Sequence, residues 1–104
     1  MKMKVTPFQE KVYAACRKIP RGKISTYQEI AKNIKNSKSM RAVGNALNKN
    51  PFAPTVPCHR VVRNGGEVGG FASGSRNKIR LLKKEGIRIK SGKIADFSRR
   101  FVSL

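Results

Sequence analysis

Acidic side chains are scarce in this chain. Five Asp and Glu stand against 24 Lys and Arg, a formal net charge of +19 over 104 residues. An excess of that size marks a domain that meets a polyanion, nucleic acid before others, more than a merely solvated basic surface. Charge alone does not separate DNA from RNA. Cysteine is scarcer still: Cys16 and Cys58 are too few for a disulfide scaffold, and the single histidine leaves no zinc-ligand spacing. A reduced, cytoplasmic protein with no metal and no cofactor is expected. No apolar run is long enough to cross a membrane, and Met1-Lys2-Met3-Lys4 lacks the core of a signal peptide. No internal repeat or low-complexity stretch is present. The length predicts one small domain over 1–104, with its core over 6–89 and a basic tail over 90–104.

What is present gathers at Pro57-Cys58-His59-Arg60, where the only histidine directly follows a cysteine. A thiol reacts as its thiolate, a minor species near neutral pH, and a base within reach is the usual remedy. Taken alone, the pair fits a small buried hydrophobe better than a nucleophile. The prolines at 51, 54 and 57 stiffen the approach. Val61-Val62-Arg63, Asn64-Gly65 and Glu67-Val68 predict a short β-hairpin with a type I′ turn. The cysteine would then end a stiff extended run just before a strand, a place that displays a side chain.

Thr6-Pro7-Phe8-Gln9 opens a helix: Thr6 can cap, Pro7 suits the first position and Gln9 completes a capping box. Phe8, Val12, Ala15, Cys16 and Ile19 share one face, which makes Cys16 a core residue. Pro20-Arg21-Gly22 ends this helix. A second begins within Ser25-Thr26-Tyr27-Gln28-Glu29, where Ser25 with Gln28 and Thr26 with Glu29 both fit a capping box. Ile30, Ala31 and Ile34 form its apolar face. Tyr27 is either a half-buried core aromatic or a side chain reaching past the helix end. Met40, Val43 and Leu47 then stripe a third helix, leaving Arg41, Ala42, Asn45 and Ala46 on other faces. Two short helices with a tight polar connection read as helix-turn-helix, the third helix applied to DNA with small residues around Arg41. A solvated arginine on an ordinary amphipathic helix is the plainer alternative.

Asn50 before Pro51 favours a turn, and its side chain can lock the third helix to the cysteine segment. Gly69-Gly70-Phe71-Ala72-Ser73-Gly74-Ser75 is nearly free of side chains, so its backbone can approach a flat ligand. Ser75 is expected to cap a last helix carrying Ile79, Leu81 and Leu82 and ending at Glu85-Gly86. A carboxylate at a helix C-terminus opposes the dipole and calls for a nearby cation or donor. His59 is one candidate; Lys83 and Lys84 are the others. Beyond Ile87 and Ile89 the chain turns basic and irregular. The expected fold is mainly α with a short β-hairpin, winged helix-turn-helix-like.

Six motifs in this order resemble the active domain of the O6-alkylguanine-DNA alkyltransferases, the methylated-DNA–protein-cysteine methyltransferases. They are Ile24-Ser25-Thr26-Tyr27-Gln28, Arg41-Ala42-Val43-Gly44, Asn50-Pro51, Pro57-Cys58-His59-Arg60-Val61-Val62, Val68-Gly69-Gly70-Phe71 and Leu81-Leu82-Lys83-Lys84-Glu85-Gly86. The resemblance spans Thr6 to Ile89 and implies direct, single-turnover repair. Cys58 takes the alkyl group from guanine O6, His59 draws off the thiol proton through water, and Glu85 orients the imidazole. Tyr27 protonates the departing base, and Asn50 braces the turn. Arg41 replaces the flipped nucleotide from the minor groove, on a helix where Ser39, Met40, Ala42 and Gly44 approach DNA. Tyr27, Val61, Phe71 and Ala72 form the pocket. The implied partner is double-stranded DNA containing alkylated guanine, bound by a monomer that is nucleoid-associated if prokaryotic.

The chain departs from the family at several points. The additional N-terminal domain of many members is not expected here, Ser39 and Met40 replace smaller residues before Arg41, and Phe71 replaces a frequent tyrosine. Related alkyltransferase-like proteins bind such lesions without repair and commonly carry tryptophan where Cys58 stands. A plain winged-helix regulator would explain the charge but not Cys58-His59 with Glu85.

Overall fold

The structure, a computed structural model, describes residues 5–36, 38–52, 55–69 and 75–104. It is helix-rich with two small two-stranded sheets. The first helix, α1 (Pro7–Cys16), is fixed by its expected capping box: the Gln9 N–H donates to Thr6 Oγ1 and the Thr6 N–H to Gln9 Oε1, both at 3.0 Å. Val12, Ala15, Cys16 and Ile19 are buried from its inner face and the turn after it. Burial pushes the Cys16 thiol up, out of reach of ionisation, as befits a core residue.

The strand β1 (Ser25–Thr26) runs into α2 (Tyr27–Asn33), and the capping register is that of Thr26. The Glu29 N–H donates to Thr26 Oγ1 at 3.1 Å, while the Ser25 hydroxyl donates to the Val102 carbonyl at 3.0 Å. Tyr27 is therefore the first helical residue. At its other end α2 closes in a Schellman turn, with the Asn36 N–H on the Ala31 carbonyl and the Lys35 N–H on that of Lys32. Lys35 takes the left-handed position there, at φ 61°. The chain then enters α3 (Met40–Asn48), which buries Val43, Ala46 and Leu47. Tyr13, not expected in the core, donates its hydroxyl to the Ala46 carbonyl at 2.8 Å and ties α1 to α3. Together α1, α2 and α3 enclose an apolar cluster that takes in Val56, Cys58 and Val61. Each fully buried large aliphatic side chain in it contributes about 1.5–3 kcal/mol.

The expected hairpin over 61–68 does not form. Its first strand, β2 (Val61–Val62), pairs in parallel with β1, Ser25 opposite Val61 and Thr26 opposite Val62. A type I′ turn needs positive φ at both central residues, yet here only Gly66 is positive, at 91°. Glu67 bridges to Lys93 instead. The reason lies in burial: both valines are 0 % exposed, so this is a strand covered on two faces rather than a half-exposed hairpin arm. Alternation sends Val61 into the first cluster and Val62 into a second, with Ile24, Val68, Leu82, Ile87 and Ile94.

The helix α4 (Ser75–Lys84) begins at the residue expected to cap it, so the capping position falls outside the described residues. It ends in a Schellman turn, with the Gly86 N–H on the Lys83 carbonyl and the Ile87 N–H on that of Leu82. Gly86 is left-handed at φ 85°, which leaves Glu85 at the last helical carbonyls. The true antiparallel hairpin follows, β3 (Ile89–Lys90) against β4 (Lys93–Ile94). Its corner, Ser91 and Gly92, has φ of 52° and 75°, as a type I′ turn requires. The stretch 90–104 is thus no loose basic tail. After β4, α5 (Phe97–Arg100) stacks Phe97 on Phe101, and the chain lies along β1. The Ile24 N–H donates to the Arg100 carbonyl at 2.8 Å and the Val102 N–H to that of Ile24 at 2.9 Å. Charge hid this packing from a sequence reading, because apolar residues at 94, 97, 101 and 102 alternate with cations. No helix among the described residues is long and apolar enough to cross a membrane.

Candidate active site

Pro57 does not continue an extended run: at φ −82° and ψ 64° it centres an inverse γ-turn, with the Cys58 N–H on the Val56 carbonyl at 2.8 Å. One turn of 3₁₀ helix over Cys58–Arg60 follows. This double bend tucks the thiol inward, and Cys58 is only 3 % exposed. Asn50 holds the bend. Its side-chain amide donates to the Val56 carbonyl at 2.9 Å and to Cys58 Sγ at 3.3 Å, while its Oδ1 accepts the Phe52 N–H at 2.8 Å.

Burial pushes the Cys58 thiol up, and the amide of Asn50, the Lys78 cation and the N–H groups of Cys58 and His59 pull back in part. The thiol therefore keeps its proton at neutral pH, but inside a shell of donors that favours the thiolate.

His59 meets Glu85, as the position of that carboxylate suggested: Nε2 and Oε2 lie 3.0 Å apart, both side chains nearly buried. An ionised carboxylate only accepts, so Nε2 carries the proton and Nδ1 is the basic nitrogen. Nδ1 is buried with no hydrogen-bond partner among the described residues. Burial holds the imidazole below its ordinary value, with Glu85 opposing in part, so the ring is neutral at pH 7.

Arg60 was not anticipated. Its Nε donates to Glu85 Oε1 at 3.0 Å and its Nη2 to Oε2 at 2.7 Å, a bidentate pair, while Nη1 donates to the Ile19 carbonyl at 2.8 Å. Burial acts to raise the Glu85 carboxyl, but the hydrogen bonds from Arg60 and His59 outweigh it and hold the group below its usual range. The neighbouring Lys83 and Lys84, the dull candidates, are exposed.

Tyr27, Met40, Arg41, Gly44, Arg63 and Asn64 line a cleft of about 460 Å³ on the α3 side, within the size range of small-ligand sites. Arg41 and Ala42 are exposed on α3, Met40 is 40 % exposed, and Ser39 and Gly44 are half-buried. The phenol of Tyr27 is half-buried; burial raises it above its ordinary value, against the lowering effect of Arg63. A Cβ placed on Gly69 would lie 3.4 Å from Tyr27 Oη, so the loop backbone closes on the hydroxyl there. Phe71 and Ala72 lie outside the described residues.

A second side chain that sequence reading missed reaches Tyr27 from α4. Lys78 is 0 % exposed. Its Nζ donates to the Val61 carbonyl at 2.7 Å and to Tyr27 Oη at 3.5 Å. One signal was available: Lys78 stands four residues before Leu82, on the apolar face of α4.

Known proteins resemble this chain in sequence and in fold. The family model described as 6-O-methylguanine DNA methyltransferase, DNA binding domain, matches residues 7–87. A methylated-DNA–protein-cysteine methyltransferase from Methanosarcina acetivorans is 54% identical over 81 residues, 78% of this chain and 52% of that protein. Among solved structures, Mycobacterium tuberculosis OGT in complex with DNA superposes with a TM-score of 0.77 at 40% identity, covering 81% of this chain and 52% of that one. S. pombe Atl1, in complex with damaged DNA containing O6-carboxymethylguanine, gives a TM-score of 0.85 at 30% identity, covering 98% of this chain and 100% of that one. The chain spans about half the length of the curated relatives it matches.

Proposed function

The chain belongs to the family of 6-O-methylguanine DNA methyltransferase DNA-binding domains, and on that premise we propose that it repairs DNA by moving an alkyl group from guanine O6 to Cys58. The observation that carries the reading is the thiol itself, nearly buried beside the Asn50 amide and followed in sequence by His59, whose imidazole is hydrogen-bonded to Glu85. A wholly structural cysteine would gain nothing from donors that stabilise its anion.

The sequence of events follows from the groups. His59 Nδ1 takes the Cys58 proton through a bridging water, and the resulting imidazolium is balanced by Glu85, which Arg60 keeps ionised. The thiolate attacks the alkyl carbon; a C–S bond forms and the O6–C bond breaks, its electron pair staying on the base. Tyr27 gives its hydroxyl proton so that guanine leaves neutral. The thioether is not hydrolysed, so each molecule acts once.

A base stacked in duplex DNA is out of reach of a thiol this buried, so the nucleotide has to be extruded, at a few kcal/mol of unstacking. Arg41, exposed on α3, fills the space left in the stack from the minor groove. Ser39, Met40, Ala42 and Gly44 form the surface beside it. In this reading α2, its turn and α3 act as a helix-turn-helix within a single winged-helix-like domain. Asn50 braces the active-site turn, and Tyr27, Val61, Phe71 and Ala72 enclose the base. Its place of work is the DNA, nucleoid-associated within the cytoplasm if the source is prokaryotic.

The test is a labelled-alkyl transfer from duplex DNA containing O6-methylguanine. One alkyl group per protein on Cys58, by mass spectrometry, and none with Cys58→Ser is the expected result. Label on Cys16, or none on wild-type protein, would overturn the assignment. A second reading, lesion recognition without transfer, draws on the full-length match to Atl1. Tight binding of alkylated duplex with no label on the protein would decide for it.

A further inference from the structure

Arg63 is a cation to which the proposed reaction gives no task. It follows β2, and its backbone is pinned by two hydrogen bonds of 2.9 Å: its N–H donates to the Glu67 carbonyl, and its own carbonyl accepts from the Gly66 N–H. Its side chain is exposed, and no ion pair or hydrogen bond among the described residues engages the guanidinium. The stem is nevertheless held in place, for a Cβ on Gly69 would lie 3.4 Å from Arg63 Cγ and 3.6 Å from Nε. That same point is 3.4 Å from Tyr27 Oη. The guanidinium therefore starts beside the hydroxyl that meets the departing base. Its charge is felt there, lowering the phenol against burial.

The cleft supplies a use for this cation. Arg63 and Asn64 form one wall and α3 with Arg41 the other; Asn64 Nδ2 lies 3.7 Å from Met40 Sδ where the walls meet. The lining holds two arginines and no carboxylate, so an anion is the ligand that its charge fits. In the proposed reaction Arg41 takes the vacated place in the stack and the base goes to Tyr27. Extrusion swings the nucleotide about its backbone, which draws its phosphate across the cleft, away from α3 and towards Arg63. We propose that Arg63 grips the phosphate beside the extruded nucleotide and so holds the base at Tyr27. This rests on the flipping reading. A guanidinium fork matches phosphate oxygens bidentately, and a stem already packed loses little freedom on binding. The contact forms only once the nucleotide has left the stack, so it favours a flipped lesion and not duplex in general.

The experiment measures binding by fluorescence anisotropy over a salt series, in the Cys58→Ser background so that the lesion is not consumed. The duplexes carry one O6-methylguanine or none. Arg63→Gln is expected to shrink the logarithmic salt slope on alkylated duplex by about one, and to leave the slope on undamaged duplex within error. Arg63→Lys, which keeps the charge, should keep the slope. Equal shrinkage on both duplexes would make Arg63 a general backbone contact, and no shrinkage on either would leave it solvated; both overturn the proposal. A neutral methylphosphonate placed on each side of the lesion in turn locates the partner. At one flank it should weaken binding about tenfold or more with Arg63 present, and far less with Arg63→Gln. The same loss in both proteins at both flanks would sink this proposal alone. The flipping reading, and this inference with it, would go if wild-type protein took no label from alkylated duplex and Cys58→Ser bound alkylated and undamaged duplex alike.

Discussion

Around Cys58 each buried charge is held by a partner, and the partners differ in how readily acid removes them. Glu85 is kept below its ordinary 4.5 by Arg60 and His59, against burial, so its stabilising contribution is present above that value and lost as pH falls through the folded one. His59 is kept below its ordinary 6.5 chiefly by burial, so below that pH the unfolded chain takes up the proton first. Both effects have one sign. Thermal denaturation across pH should show stability falling steadily from neutral to about pH 4. Arg60→Met, which strips the bidentate partner from a nearly buried carboxylate, should lower stability by about 3 kcal/mol at pH 7. A midpoint unchanged by that substitution would make the Arg60–Glu85 pair ornamental.

Lys78 has the opposite sign. With a folded value of about 8 against an ordinary 10.5, its burial as a cation costs about 3 kcal/mol at neutral pH, a cost relieved as pH rises between the two. Lys78→Met removes that cost but takes a donor from the Val61 carbonyl, about 1–3 kcal/mol the other way. The variant should therefore melt at or above wild type at pH 7 by calorimetry. A midpoint several degrees lower would make the lysine a packing element. Cys58, His59 and Glu85 were legible in the sequence because a contiguous motif and a helix-terminal carboxylate point to each other. Arg60 and Lys78 were not, since long cations read as solvent-facing until tertiary packing turns them inward.

At the scale of elements, legibility followed local signals that tertiary structure did not outbid. The capping box at Thr6 held because it is decided within one turn of chain, whereas the apolar stripe of α3 held only at Val43 and Leu47: Ala46, expected on another face, is buried with them, and Met40 is exposed. The Asn64-Gly65 turn failed because Val61 and Val62 gain more from burial beside β1 than from a hairpin. The Ser91-Gly92 corner made the hairpin instead. One element carries a misfit that can be relieved. Lys35 occupies the left-handed end of α2 at φ 61°, a conformation that costs a residue with a Cβ about 1–2 kcal/mol. Lys35→Gly should remove that strain, partly offset by the freedom glycine brings to the unfolded chain, for a net gain of about 0.5–1 kcal/mol. Denaturant unfolding measures it: the midpoint should rise at constant slope. A fall would mean that the lysine side chain anchors the turn.

Over the whole molecule, the net charge of +19 is far more than α3 can present, since its one cation is Arg41. Cations also stand exposed on α4 at Arg76, Arg80, Lys83 and Lys84, and along the C-terminal segment at Lys90, Lys93 and Arg99. A protein that reads damage rather than sequence needs attraction indifferent to the bases, and counterion release from phosphates supplies it. Affinity for undamaged duplex should therefore fall steeply with salt. The logarithmic slope is about −0.9 per phosphate neutralised, so six to ten contacts would weaken binding by about 10³–10⁵ between 50 and 200 mM. Arg41→Ala separates the two ways that arginine could serve. If it enters the base stack of a flipped site, the slope on undamaged duplex should stay within error while transfer from alkylated duplex slows. If it rests on a phosphate, the slope should shrink by about one. Fluorescence anisotropy over a salt series reads this directly. A flat salt response in the wild-type protein would leave the basic surface without a nucleic-acid role and take the DNA-scanning part of the proposed function with it.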